Sequence, residues 1–149
     1  MSNLSNNYIA GDWVKGASSI SNINPSNTND VIGEFAQASS AQLEDALNSA
    51  QVAQRQWAST GLEQRQSVLM KIGEEMMARS AELGELLSRE EGKPVAEGKG
   101  EVYRAGQFFT YYAAEVLRQG GDTADSVRPN IEIDVRREPM GTVAIISPW

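Results

Sequence analysis

The sequence predicts an α/β fold with short strands in front, a helical layer in the middle and a buried strand at the end. Three observations predict it. Residues 8–36 hold short apolar runs broken by turn residues, and residues 37–121 carry capped, helically spaced apolar positions. Residues 141–147 form an apolar, β-branched run that opens at Gly141 and is followed by Pro148. Such a run belongs inside a sheet covered on both faces. No helix or neighbouring strand follows it in the sequence. The expectation is therefore the front part of a larger protein, truncated where its chemistry would begin.

Taken in order, residues 1–7 are polar and read as a disordered tail. Residues 8–14 read as two strands around a Gly11-Asp12 turn, a hairpin signal. Residues 19–24 form a further short strand stopped by Pro25, and residues 31–35 a fourth. Ser39 and Gln42 make a capping box for a first helix, with Leu43, Ala46, Leu47, Ala50, Ala53 and Trp57 on its apolar face. Thr60 and Glu63 suggest a second capping box, followed by a stripe through Leu69, Ile72 and Met76. Ser80 would cap a third helix that ends at Gly92. Pro94 suits the first turn of a fourth, whose stripe is Val102, Ala105, Phe109, Tyr112 and Val116 and whose end is set by Gly120 and Gly121. Gly98, Gly100 and Gly106 weaken that helix locally. In residues 122–141 the period changes to two, with Ile131, Ile133 and Val135 alternating with Glu132, Asp134 and Arg136. Residues 142–149 are the buried final strand.

Composition narrows the function. The chain has 149 residues and a formal charge of −7, which argues against nucleic acid and against an anionic membrane surface. It has no Cys and no His, so zinc sites, thiol nucleophiles and imidazole bases are absent from these residues. The polar start lacks a secretory pattern, and no run is long enough to span a membrane, so the expected location is cytoplasmic.

Three patterns then stand in one order. Glu90, Glu91, Gly92, Lys93 and Pro94 close a helix; Tyr111, Tyr112 and Ala113 lie on the next; and Arg137, Glu138, Pro139, Met140 and Gly141 lead into Ile146, Ser147, Pro148 and Trp149. Together with residues 8–14 and Ile23, Asn24 and Pro25, they resemble the N-terminal part of the NAD(P)-dependent aldehyde dehydrogenase superfamily. Within it the chain looks most like the semialdehyde-oxidising branch, such as 2-oxoglutarate semialdehyde dehydrogenases. The resemblance implies that residues 142–149 are the first strand of a Rossmann-like cofactor domain. It also implies a mechanism in which a Cys thiolate attacks the aldehyde and hydride passes to NAD or NADP. An Asn and a backbone N–H hold the oxyanion, and a Glu activates water. No catalytic residue of that set can be carried onto these residues.

The site residues each have two readings. Ile146, Ser147, Pro148 and Trp149 match the segment that runs along the cofactor in the family, at the carboxyl end of a parallel strand; on residues alone they read as a buried strand end. Arg104 reads first as a surface residue paired with Glu101 or Glu97. The resemblance places it near the substrate tunnel, where a guanidinium suits the distal carboxylate of a semialdehyde acid. Phe108 and Tyr111 share its side of the helix and read as core. Glu90 reads as an exposed helix-end residue. By resemblance, it and the backbone carbonyls of Asn22 and Ile23 would hold Na⁺ or K⁺, a donor set suited to a hard cation.

Glu90 and Glu91 are no catalytic dyad, since adjacent helix positions diverge. Lys93 is a helix-end charge rather than a Schiff-base lysine. Gly98-Lys99-Gly100 lacks the strand and Ser/Thr of a P-loop. Trp13 and Trp57 read as core. By the same resemblance, the alternating strand of residues 131–135 corresponds to a projecting sheet that the family uses for subunit contact, so a homodimer or homotetramer is expected. Two other readings stay open: a non-catalytic helical interaction module, and an inactive truncated dehydrogenase.

Overall fold

The computed structural model describes residues 4–148, which form seven strands and four helices. The strands are β1 (Leu4–Ser5), β2 (Asn7–Ile9), β3 (Asp12–Val14), β4 (Ser18–Ile23), β5 (Val31–Gln37), β6 (Asp122–Asp125) and β7 (Glu132–Val135). The helices are α1 (Ser40–Ala58), α2 (Leu62–Ala78), α3 (Ser80–Glu91) and α4 (Val95–Val116).

The strands make three small sheets. β4 and β5 pair antiparallel, with Ile20 opposite Phe35, and β1 adds to β5 in parallel, with Leu4 opposite Glu34. The expected tail is therefore strand at Leu4 and Ser5: backbone donors and acceptors on the β5 edge order even a polar segment. β2 and β3 form the expected hairpin, with Tyr8 opposite Trp13. Its turn residues are Ala10 and Gly11, at φ 54° and 96°, rather than Gly11 and Asp12. Two successive positive φ values mark the tight turn whose twist matches the flanking strands. β6 and β7 pair antiparallel.

The first helix starts as expected. The Ser39 hydroxyl accepts from the Gln42 N–H at 3.2 Å, and the Gln42 side chain accepts from the Ser39 N–H at 3.0 Å. The second cap fails. Thr60 Oγ1 donates back to the Gln56 carbonyl at 3.0 Å, so Thr60 closes α1, and α2 starts after Gly61 with no side-chain cap. Ser80 lies within α3, whose N-cap is Arg79. Gly92 ends α3 at φ 80°. α4 starts after Pro94 and stops at Val116, before the Gly120-Gly121 pair.

The core sits where α4 crosses α2 and α3. Val102 and Ala113 of α4 and Ser88 of α3 are buried there. Glycines make the crossings close. A Cβ on Gly106 would lie 2.6 Å from Met77 Cγ, one on Gly73 would lie 2.7 Å from the Gly106 carbonyl, and one on Gly84 would lie 2.5 Å from Lys99 Cα. Gly106, expected only to weaken α4, therefore sets how near α2 comes, as Gly98 does for α3.

Several expected core residues are on the surface. Trp13 is 69% exposed, and Trp57, Phe108 and Tyr111 are also exposed. The short links of one to three residues around β2 and β3 leave only part of Trp13 covered, by the Tyr8 ring 5.0 Å away. Residues 142–148, expected as a buried strand, have no strand pairing, and Ile146 is 93% exposed. A ladder needs a neighbour, and among the described residues none lies beside this run.

Candidate functional site

The hairpin of β4 and β5 is tied to the C-terminal end of α3 by three side-chain links. Arg89 Nε and Nη2 donate to Asp30 Oδ2 and Oδ1 at 2.9 and 2.7 Å, a planar fork on a carboxylate. Asn24 Nδ2 donates to the same Asp30 at 3.1 Å. The Arg89 bonds, then the Asn24 bond, lower the Asp30 carboxyl from an ordinary value of 3.8 to about 2. Ser26 Oγ donates to the Gly92 carbonyl at 2.7 Å.

The third link is Asn22 Nδ2 donating to Glu90 Oε1 at 2.8 Å. The structure thus brings together Asn22, Ile23 and Glu90, which lie far apart in sequence. Glu90 is half-buried rather than exposed. A bulge falls between Asn22 and Ile23, where the β4–β5 register shifts. Among the described residues no cluster of three or more acidic side chains forms a metal cage.

Lys93 is an ion-pair residue. Its Nζ lies 2.7 Å from Glu101 Oε1 and also contacts Glu91. Glu101, then Glu91, raises the Lys93 pKa, which keeps it charged and unsuited to Schiff-base chemistry.

Arg104 is exposed on α4 and pairs with neither of the partners expected for it, Glu97 or Glu101, the latter engaging Lys93. Its Nη1 donates to Gln107 Oε1 at 3.3 Å, and its guanidinium carbon lies 5.3 Å from the Phe108 ring centroid. Both partners are uncharged, so the guanidinium keeps its affinity for a carboxylate.

Ile146, Ser147 and Pro148 lie in an exposed segment outside any strand or helix. Trp149 lies outside the described residues. Residues 138–149 contain no Lys or Arg. Besides main-chain groups, their polar groups are the Glu138 carboxylate, the hydroxyls of Thr142 and Ser147 and the Trp149 indole N–H, so the segment offers hydrogen bonds and no fixed positive charge to a dinucleotide.

Sequence reasoning missed a cavity of about 410 Å³ just before this segment. It is lined by Trp57 at the end of α1, Arg65 in α2, Gln119 after α4, and residues 137–141. The Arg65 Nε–H is buried there with no acceptor. The polar face of α2 held a signal, an arginine amid glutamines, but no local pattern tied it to residues 137–141. The Asp30–Arg89 fork was missed for the same reason, its partners being 59 positions apart.

Residues 13–149 match the aldehyde dehydrogenase family. The chain is 32% identical, over all of its length, to the alpha-ketoglutarate semialdehyde dehydrogenase of Haloferax volcanii, of which it covers 31%. It is 33% identical to the glutarate-semialdehyde dehydrogenase of Pseudomonas putida, over 95% of this chain and 30% of that one. The crystal structure of an aldehyde dehydrogenase from Brucella melitensis superposes with a TM-score of 0.85 at 29% identity, over 91% of this chain and 28% of that one. A betaine aldehyde dehydrogenase point mutant from Staphylococcus aureus, in complex with NAD⁺, superposes with a TM-score of 0.83 at 26% identity, over 91% and 28%. The chain spans about 30% of the length of the curated relatives it matches. A family match from β3 to the last residue, joined to the same arrangement of strands and helices in solved relatives, makes this chain a member of the aldehyde dehydrogenase family.

Proposed function

We propose that the protein carrying these residues oxidises a small aldehyde, a semialdehyde acid, to its carboxylate with NAD⁺ or NADP⁺. The observation that carries this reading is the alignment of the whole chain with an alpha-ketoglutarate semialdehyde dehydrogenase. Relatives named for glutarate semialdehyde and succinate semialdehyde support the same substrate class. The nucleophilic thiolate of such a reaction lies outside these residues, which contain no Cys. Their part is scaffold and one edge of the cofactor site.

In this reading residues 146–149 lie along the dinucleotide. The Ser147 hydroxyl and neighbouring main-chain groups orient its neutral part, while Pro148, lacking an N–H, holds the turn. The bound dinucleotide supplies the hydride acceptor. Arg104 binds the distal carboxylate of the substrate. Glu90, with the carbonyls of Asn22 and Ile23, seats Na⁺ or K⁺; the Asn22 amide holds Oε1 and leaves Oε2 for the cation. The protein works in the cytoplasm as a homodimer or homotetramer, with β6 and β7 at a subunit contact.

The test is kinetic. Arg104→Ala in the full-length protein raises KM for a carboxylated aldehyde by about tenfold and leaves a simple aldehyde unchanged. Equal effects on both substrates remove Arg104 from the site. For the cation, the melting temperature rises on exchanging a bulky organic cation for Na⁺ or K⁺; indifference to that exchange removes the seat.

A further inference from the structure

The segment proposed to run along the cofactor is delivered by residues 137–141, and these line the cavity that also contains Arg65. Three observations meet there. The Arg65 Nε–H is buried without an acceptor. Glu138, an acceptor-only group when ionised, lines the same cavity. Gly141, at the end of the strap, holds φ 102°, a conformation that defines the direction in which the chain leaves toward residue 142.

We propose that Arg65 and Glu138 form a clasp that seats the 137–141 strap on α2 and so sets the register of residues 142–149 against the cofactor. A guanidinium presents two parallel N–H groups to a carboxylate, so closing the clasp satisfies Nε and anchors the strap at one defined position. Trp57 lines the same cavity, and the clasp is open in this structure, with the Arg65 Nε–H without a partner. Arg65 touches neither cofactor nor substrate. It is a positioning residue, and its effect passes through five residues of backbone. The inference rests on the proposed cofactor edge for its consequence, but the clasp itself does not need it.

The experiment is a double-mutant cycle in the full-length protein with Arg65→Gln, Glu138→Gln and the pair, read by urea unfolding and by calorimetric titration with NAD⁺ and NADP⁺. Each single variant is expected to lower the unfolding midpoint and to weaken dinucleotide binding by about tenfold, and the double variant to be no worse than the weaker single. Arg65→Lys, which keeps the charge and loses the fork, should recover part of the affinity. If Arg65→Gln does not fold, Arg65→Lys takes its place in the cycle. Additive effects on unfolding would show that the two residues do not meet and would overturn the clasp. Coupled unfolding with unchanged dinucleotide affinity would overturn its positioning role. A wild-type protein that binds neither dinucleotide would overturn the proposed function and the positioning role together, while the unfolding cycle still decides the clasp.

Discussion

Asp30 accepts from Arg89 through both carboxylate oxygens and from Asn24 through one, and this joins the β4–β5 turn to α3. Its pKa lies below the ordinary 3.8, at about 2. A carboxyl lowered on folding contributes stability that is complete above the ordinary value and is lost as pH falls through the folded one. The slope of stability against pH between 3.8 and about 2 should therefore flatten in Asp30→Asn, as measured by urea midpoints across that range. An unchanged slope would assign the acid sensitivity elsewhere. Ala10 gives a second residue-scale prediction. It holds φ 54° at the first turn position of the β2–β3 hairpin, where Asn is better suited. Ala10→Asn should raise stability by up to about 1 kcal/mol in thermal unfolding. Little at this scale was legible in advance. Gly11 marked a turn, but the one-residue displacement that puts Ala10 at positive φ depends on the pairing of Tyr8 with Trp13, which composition does not encode.

Elements were more legible than their ends. α1 was readable from Ser39, Gln42 and a regular apolar stripe because caps and periodicity are local. The end of α4 was not. Gly120 and Gly121 are good stop signals, yet the helix finishes at Val116, and the chain turns there to begin the β6–β7 hairpin. The glycines of α4 show why propensity alone misleads. Gly106 and Gly73 face each other across α2 and α4, where added carbon meets backbone, while Gly100 has nothing within 4 Å. Gly106→Ala should destabilise the protein by about 1–3 kcal/mol through overpacking. Gly100→Ala should stabilise it by up to about 1 kcal/mol, since only helix propensity changes. Equal shifts for the two variants would mean that the crossing is not close. For the candidate site, Asn22 and Glu90 could be joined only through family resemblance, because a strand and a helix end 68 positions apart share no local pattern.

At the scale of the molecule, the described residues build three small sheets around a helical layer whose core is narrow, with Leu43, Val52, Trp57 and Ile146 all exposed. Fold class and family were legible because order and spacing of ordinary motifs survive at about 30% identity. The final run was legible as a buried-strand composition, but among the described residues it has no strand partner. The relatives matched are about three times longer, so the chemistry proposed here belongs to the whole protein. Its most direct test is the absorbance of reduced nicotinamide when the purified full-length protein meets a five-carbon semialdehyde acid with NAD⁺ or NADP⁺. Stoichiometric formation of reduced dinucleotide and carboxylate is expected, abolished by a thiol-alkylating reagent. A folded full-length protein that binds the dinucleotide yet reduces it with no aldehyde would contradict it.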